Sequence, residues 1–307
     1  MTPLVVYNGG SGGLGRHLGG ALAAAGLASQ SLASRLGDSE GLVDELDALS
    51  VDPDAAVTLI QSAGMVSVRE CEERPEEAHD INVTRTTDTV RTIAGWAADR
   101  NSRLRVVMVS SGHVYAAPQP GERLTESAPT DPRSVYAQTK LDAERQAALL
   151  ADNAGVDLVI TRVFGMIGPS QREHFLLPGL INRVSTGDLA AVPGLDYVRD
   201  YLDARDIAGH LVSLAVEPIA ELDGPIVNVC SGEETKIGDL LDALLETMYA
   251  EDAVALDEAR RVVGPAPGRP TDVTWSVGDP ERLSQIVPGP IRSISVTATL
   301  KDAVAAS

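Results

Sequence analysis

This sequence predicts an α/β fold: a doubly wound parallel sheet with a smaller, mixed C-terminal domain. Three observations predict it. Short, continuously apolar and β-branched runs alternate with helical stretches through the first half. Strands of that kind are buried on both faces, as in a parallel sheet covered by helices. A glycine-rich turn joins the first apolar run directly to the first helix. After Gly168-Pro169 the pattern changes, with Pro178, Gly179, Gly187, Pro193 and Gly194 interrupting it.

The expected elements follow in order. Leu4 to Tyr7 is a strand and Leu14 to Ala25 a helix packed through Ala and Leu. A second strand should end near Ser34-Arg35, and Val57 to Ile60 is the next. Val83 to Arg100 is helical, because Val83, Thr87, Val90, Ile93 and Ala97 recur about a turn apart. Arg105 to Val109 is a strand, Tyr136 to Ala151 a helix and Leu158 to Ile160 a strand. In the second half, a helix is expected from Asp206 to Val216 and a strand from Ile226 to Val229. A further helix runs from Ile237 to Tyr249, and Gly264 to Pro270 reads as a loop.

Composition narrows the function. The 307 residues are 44% hydrophobic and 22% charged, an ordinary soluble profile with enough chain for a real core. A formal net charge of −19 argues against nucleic acid as a partner. Any anionic ligand must then meet locally placed Arg or Lys. Cys71 and Cys230 stand outside any CxxC or Cys/His cluster, so neither a disulfide framework nor a metal site is expected. The N-terminus has no basic segment ahead of an apolar one. The Leu18–Leu32 stretch is too interrupted by Gly, Ser and Gln to span a membrane. The expectation is a cytoplasmic protein with no membrane partner.

The turn Gly9-Gly10-Ser11-Gly12-Gly13-Leu14-Gly15 carries three glycines at a spacing of three. Such a turn reaches positive φ, lets the backbone approach a pyrophosphate, and seats that group on the helix N-terminus. Placed between a strand and a helix, it reads as the Rossmann-type dinucleotide turn. An NAD site usually has an acid after the second strand, whereas an Arg suits the extra phosphate of NADP. Here Arg35 follows Ser34, and the nearest acid is Asp38. The expected cofactor is therefore NADP(H), with NAD(H) the alternative. A dinucleotide-binding domain of 1–168, with return segments near 196–216, is expected beside a substrate domain of 169–195 and 217–307.

Tyr136 and Lys140 are four apart on one helix. A phenol near pKa 10 is a poor acid or base at neutrality, and a nearby cation should lower that value. Such a Tyr exchanges a proton with a carbonyl oxygen while hydride moves. Ser110-Ser111 ends the Arg105–Val109 strand, at the sheet edge where parallel sheets present ligands. Ser111 would hold the substrate oxygen against Tyr136.

Together these features resemble the extended short-chain dehydrogenase/reductase family, also described as the NAD-dependent epimerase/dehydratase family. The likeness continues through most of the chain. It includes Pro53-Asp54 leading to Ser62-Ala63-Gly64, Glu73-Arg74-Pro75-Glu76, and Asn82-Val83-Thr84. Further on are Arg199-Asp200-Tyr201 with Asp206-Ile207-Ala208, Val227-Asn228-Val229 with Ser231-Gly232-Glu233, and Arg269-Pro270-Thr271-Asp272. The resemblance implies a catalytic set of Ser111, Tyr136 and Lys140. It implies cofactor contacts at Gly9, Ser11, Gly12, Leu14, Gly15, Ser34, Arg35, Ala63 and Gly64, with Tyr136 and Lys140. It places a nucleotide-sugar diphosphate on Arg199 and Arg269, where a planar, bidentate donor suits the charge. His113 and His174 are implied substrate contacts, alternatively a proton-relay pair beside a ketone. A homodimer is the implied assembly.

The family's dehydratases carry an Asp-Glu pair after the catalytic Ser/Thr, where this chain has Gly112-His113. The compact layout resembles instead the 4-keto-6-deoxysugar reductases. The implied reaction is NADPH-dependent reduction of a keto group, at C4, of a nucleoside-diphosphate 4-keto-6-deoxyhexose. A 4-epimerase holding NAD is the main alternative. A non-catalytic dinucleotide sensor is a third, though sensors often lack the Ser/Tyr/Lys set that is intact here. Two departures from the family pattern stand out. Gly165 occupies an expected Asn, and Asn8 replaces the commoner Thr before the glycine turn.

Overall fold

The computed structural model describes residues 3–49, 55–169, 171–218, 224–268 and 272–307. Five strands come from the first half: β1 (Leu4–Tyr7), β2 (Ser29–Ser31), β3 (Val57–Gln61), β4 (Leu104–Ser111) and β5 (Asp157–Val163). They join Ile226–Val229 in a six-stranded sheet, ordered Ile226–Val229, β5, β4, β3, β1, β2, and every pairing is parallel. The apolar runs explain the register. All five residues of β3 are buried, and its two polar side chains are hydrogen-bonded, Thr58 Oγ1 donating to Ala215 O (3.0 Å) and Gln61 Nε2 to Ala63 O (3.3 Å).

Helices cover both faces. On one side α1 (Gly15–Ala24) and the Ala204–Val216 helix bury Leu18, Leu22, Ile207, Leu211 and Leu214 against Val5, Ile60 and Val107. On the other, α2 (Ser39–Asp47), the Thr86–Asp99 helix and the Val135–Ala154 helix bury Leu42, Leu46, Ile93, Trp96 and Ala147 against Val6, Leu59 and Val106. A third cluster, with Leu177, Leu180, Tyr201, Leu240, Leu244 and Leu300, forms the core of the smaller, C-terminal part. No helix among the described residues is long and apolar enough to cross a membrane.

Four expectations are corrected. The second strand stops at Ser31 and not near Ser34-Arg35; Ser29-Gln30-Ser31 is a short polar edge strand held only by β1. The expected Val83–Arg100 helix is preceded by a π-turn over Asp80–Arg85 and is α-helical only from Thr86. Ile226–Val229, expected in the substrate domain, is the edge strand of the large sheet through Ile226↔Ile160 to Val229↔Val163. Within the expected Gly264–Pro270 loop, Pro265–Ala266 pairs with Val192–Pro193.

Candidate active site

The glycine turn is shaped by two steric demands. Gly9 has φ +74°, which favours glycine, and a Cβ there would fall 2.8 Å from Ser62 Oγ and 2.9 Å from Ala63 N. A Cβ on Gly15 would fall 2.0 Å from Gly9 O, so α1 can start this close to β1 only with glycine. The Gly12 amide closes the turn by donating to Gly9 O at 2.8 Å. Leu14 then opens α1 with no side-chain cap. Its first-turn amides are the kind of donor that an anion completes.

Asn8, the departure noted in the sequence, ties this turn to the neighbouring strand. Its buried Oδ1 accepts from Ser62 N (2.9 Å) and Ala63 N (2.8 Å), and its own carbonyl accepts from Ser62 Oγ (2.6 Å). The ends of β1 and β3 are thereby held together at the carboxyl edge of the sheet.

A cavity of about 510 Å³ opens there, lined by residues 8–11 and 31–36 with Ala63, Ile81 and Arg85. Gly9, Ser11, Ser34, Arg35 and Ala63, all expected cofactor contacts, share it. Arg85, which sequence reasoning missed, also lines it. Among the described residues, no carboxylate does. Asp38, the nearest acid to Arg35, is turned away as the cap of α2, where Oδ1 accepts from Gly41 N at 3.0 Å. Glu45 spends its carboxylate on the amides of Ala33 (2.7 Å) and Ser34 (3.0 Å). A cradle that side chains would fill, a helix start and two arginines lining the cavity with no carboxylate among the described lining residues fit a dinucleotide carrying an additional phosphate.

Gly64 links this cavity to the Ser/Tyr/Lys group. A Cβ on it would lie 2.8 Å from Asn82 Oδ1 and 3.7 Å from Lys140 Nζ. Asn82 sits in the π-turn, a distortion frequent at functional sites. Its amide accepts from Met65 N (2.7 Å) and donates to Met65 O (2.9 Å) and Thr139 Oγ1 (3.0 Å). It thus joins the loop after β3 to the Val135–Ala154 helix.

That helix begins where Ser134 Oγ accepts from Ala137 N (3.1 Å) and ends at Gly155 with φ +66°. It buries Tyr136 and Lys140 on one face. Lys140 Nζ donates to Val109 O at 2.9 Å. Burial lowers its pKa to about 8, against smaller opposing effects of Cys71 and Glu144. The phenol behaves differently from the sequence expectation. Burial raises Tyr136 to about 12, while its hydrogen bond with Ser111 pulls the other way. Lys140 lies 6.0 Å from the ring centroid and does not offset the desolvation. The phenol therefore keeps its proton throughout the neutral range, the form that can donate.

Ser111 ends β4, and its Oγ accepts from His113 N at 3.2 Å. The His113 ring stands edge-on to Tyr136, with centroids 5.8 Å apart. Beneath them is a buried polar platform. Arg162 donates to Glu144 through Nε (3.1 Å) and Nη2 (2.7 Å), and Ser110 Oγ donates to the same carboxylate. The Arg162 guanidinium covers the Tyr115 ring at 4.6 Å, and Tyr115 donates to Asn228 Oδ1 at 2.7 Å.

A second cleft, about 60 Å³ in volume, is lined by His113 and Arg199 together with Tyr115, Arg133, Ser134, Asp272 and Trp275. Arg199 donates to Val198 O (2.9 Å) and Val273 O (2.6 Å), fixing the strand that carries it. Arg133 and Trp275 were missed. Arg133 stands three residues before Tyr136, and that proximity was the one available signal. His174 is not brought to this cleft; it is exposed and its ring packs on Phe175 at 4.5 Å. Arg269 and the Pro53-Asp54 pair lie outside the described residues. Gly165 explains itself, because a Cβ would meet Asp200 O and Tyr201 Cδ1, both at 2.5 Å. Tyr201 fills the space of the expected Asn.

The NAD dependent epimerase/dehydratase family matches residues 5–230. GDP-6-deoxy-D-mannose reductase of Pseudomonas aeruginosa is 28% identical over 271 residues, covering 85% of each chain. GDP-6-deoxy-D-talose 4-dehydrogenase of Aggregatibacter actinomycetemcomitans is 25% identical over 227 residues, 72% of this chain and 70% of that one. The structure of RMD from Pseudomonas aeruginosa complexed with NADPH aligns over 99% of this chain and 98% of that chain. It is 25% identical, with a TM-score of 0.81.

Proposed function

The chain belongs to the NAD dependent epimerase/dehydratase family, and from that premise we propose that it is an NADPH-dependent nucleotide-sugar reductase. Its reaction converts the C4 keto group of a nucleoside-diphosphate 4-keto-6-deoxyhexose to the hydroxyl. Relatives named for GDP-linked 6-deoxyhexoses make guanosine diphosphate the favoured nucleotide. One observation carries the reading most: the cavity with Arg35 and Arg85, lined by no carboxylate among the described residues, adjoins, through Ala63-Gly64, a buried Ser/Tyr/Lys group.

The glycine turn and the first turn of α1 hold the pyrophosphate, and Ser34 and Arg35 hold the additional phosphate. Bound there, the nicotinamide supplies the hydride. Ser111 orients the ketone oxygen, and Tyr136, protonated at neutral pH, donates a proton to it. Lys140 holds positive charge near the phenol from its seat on Val109 O. Arg199, with Arg269, takes the substrate diphosphate, and His113 contacts the sugar beside Tyr136. A homodimer is the proposed assembly, and the cytoplasm the proposed location.

Gly112 speaks against the dehydratase alternative. A Cβ there would lie 3.1 Å from three atoms of the Phe164 ring, so the acidic pair of the dehydratases does not fit without moving that ring. The test is a panel of nucleoside-diphosphate 4-keto-6-deoxyhexoses with NADPH, read as loss of absorbance at the reduced nicotinamide. Turnover of at least one, fastest with the GDP sugar, is expected. No NADPH oxidation with any of them, together with C4 epimerisation of a nucleotide hexose, would replace the reading by the epimerase.

A further inference from the structure

We propose that Arg85 is the second arm of the phosphate clamp, selecting with Arg35 a dinucleotide that carries a phosphate on its adenosine ribose. This rests on the NADPH reading above and goes beyond it by placing half of the selectivity on a separate element. Arg85 closes the π-turn Asp80–Arg85 and lines the same cavity as Ser34 and Arg35.

The two parts are locked to each other. Gly37, in the loop that carries Arg35, has φ +80°, and a Cβ on it would lie 3.0 Å from Arg85 Cγ and 3.1 Å from Arg85 Cβ. The loop therefore packs directly on the stem of Arg85. Its Gly37 amide also donates to Thr89 Oγ1 at 3.1 Å, one turn along the same helix. Asp80 accepts from Arg85 Nε at 2.7 Å. That contact orients the guanidinium and engages Nε, which leaves the two terminal amino groups as donors.

The charge balance gives the clamp its sign. In a chain of net charge −19, the acids that hydrogen-bond to Arg85 or to this loop and its helix cap are committed. Asp80 pairs with Arg85, Asp38 caps α2, and Glu45 holds the Ala33 and Ser34 amides. A ribose hydroxyl in this place would want a carboxylate acceptor, and none among the described residues lines the cavity. A dianionic phosphate instead meets two planar donors that hydrogen-bond in pairs.

The experiment is calorimetric titration of the purified chain with NADPH, NADH, 2′,5′-ADP and 5′-AMP, for the wild type, Arg85→Met and Arg85→Lys. Met keeps the stem against Gly37; Lys keeps stem and charge but loses the planar fork. Arg85→Met should weaken NADPH and 2′,5′-ADP by about 10- to 100-fold and change NADH and 5′-AMP by less than about twofold. Arg85→Lys should fall between. If the wild type prefers NADPH and neither variant changes that preference, Arg85 is not part of the clamp and the cofactor reading stands. If the wild type binds NADH as tightly as NADPH, the cofactor reading falls and this inference with it.

Discussion

The cavity at the glycine turn and the cleft around His113 differ in how the chain supplies them. Residues 8–11 and 31–36 provide most of the first. The second collects 112–113, 115–118, Arg133-Ser134, Arg199, 272–273 and 275–276, segments from both halves of the molecule. Backbone makes the first: Gly9 and Gly15 admit no Cβ, and Asn8 pins the turn with hydrogen bonds to main-chain amides. Side chains on loops and on the short strands Val198–Arg199 and Trp275–Ser276 make the second. A backbone cradle tolerates little change and suits a ligand part that recurs across a family. A cleft of loop side chains can be refitted to a new sugar without disturbing the sheet. Tyr136 and Lys140 adjoin both regions, Lys140 beside Gly64 and Tyr136 beside the His113 ring, and the proposed chemistry belongs to that seam.

Removing the phenol hydroxyl should break the seam while sparing both sides. Tyr136→Phe is expected to lower kcat by about 10² to 10⁴, with NADPH affinity by fluorescence titration unchanged. Near-normal kcat would move proton donation elsewhere, and His113, edge-on to the same ring, is the first residue to examine.

A crossed pair sharpens the comparison. Gly15→Ala forces the turn apart and should weaken NADPH by about 10- to 100-fold, leaving the KM for the sugar nucleotide intact at saturating NADPH. Arg199→Ala should do the reverse, raising that KM by about tenfold or more with NADPH affinity unchanged. Substitutions that each shift both constants would show that the two regions are one site.

The smallest expected effect is a pH dependence. Lys140 titrates near 8 and Tyr136 near 12, so kcat/KM for reduction should hold below about pH 8 and decline above it as the lysine loses its proton. Stability should carry the same signature. The folded value of Lys140 lies below its ordinary 10.5, so the folded chain holds fewer protons between about 8 and 10.5, and stability rises with pH in that window. Tyr136 has the opposite sign, its folded value lying above the ordinary 10, and costs stability from about pH 10 to 12. Thermal melts of wild type and Lys140→Met across pH 7 to 10 check this: the variant should lack the rise.

The comparison also explains what could be read from sequence. β1, β3, β4 and β5 were legible because burial on both faces favours runs of apolar, β-branched residues, and the glycine turn because steric limits fix its spacing. The end of β2 was not, since Ser29-Gln30-Ser31 has no apolar pattern. Arg85 was invisible for a related reason: the π-turn that aims it at the cavity has no period of its own. Arg133 and Trp275 were hidden because their cleft exists only after distant loops come together. The raised phenol pKa was missed because spacing along a helix reports the neighbouring cation and says nothing of desolvation.

The central claim is net hydride transfer from added NADPH to a sugar carbonyl at this seam. The most direct measurement uses NADPH carrying deuterium in both positions at C4 of the nicotinamide ring, with a GDP-4-keto-6-deoxyhexose as substrate. One deuterium at C4 of the product sugar, equal in amount to the cofactor oxidised, is the expected result. A product reduced to the hydroxyl at C4 that carries no deuterium would contradict the account, because the hydride would then have come from a cofactor that the protein retains and not from the added NADPH.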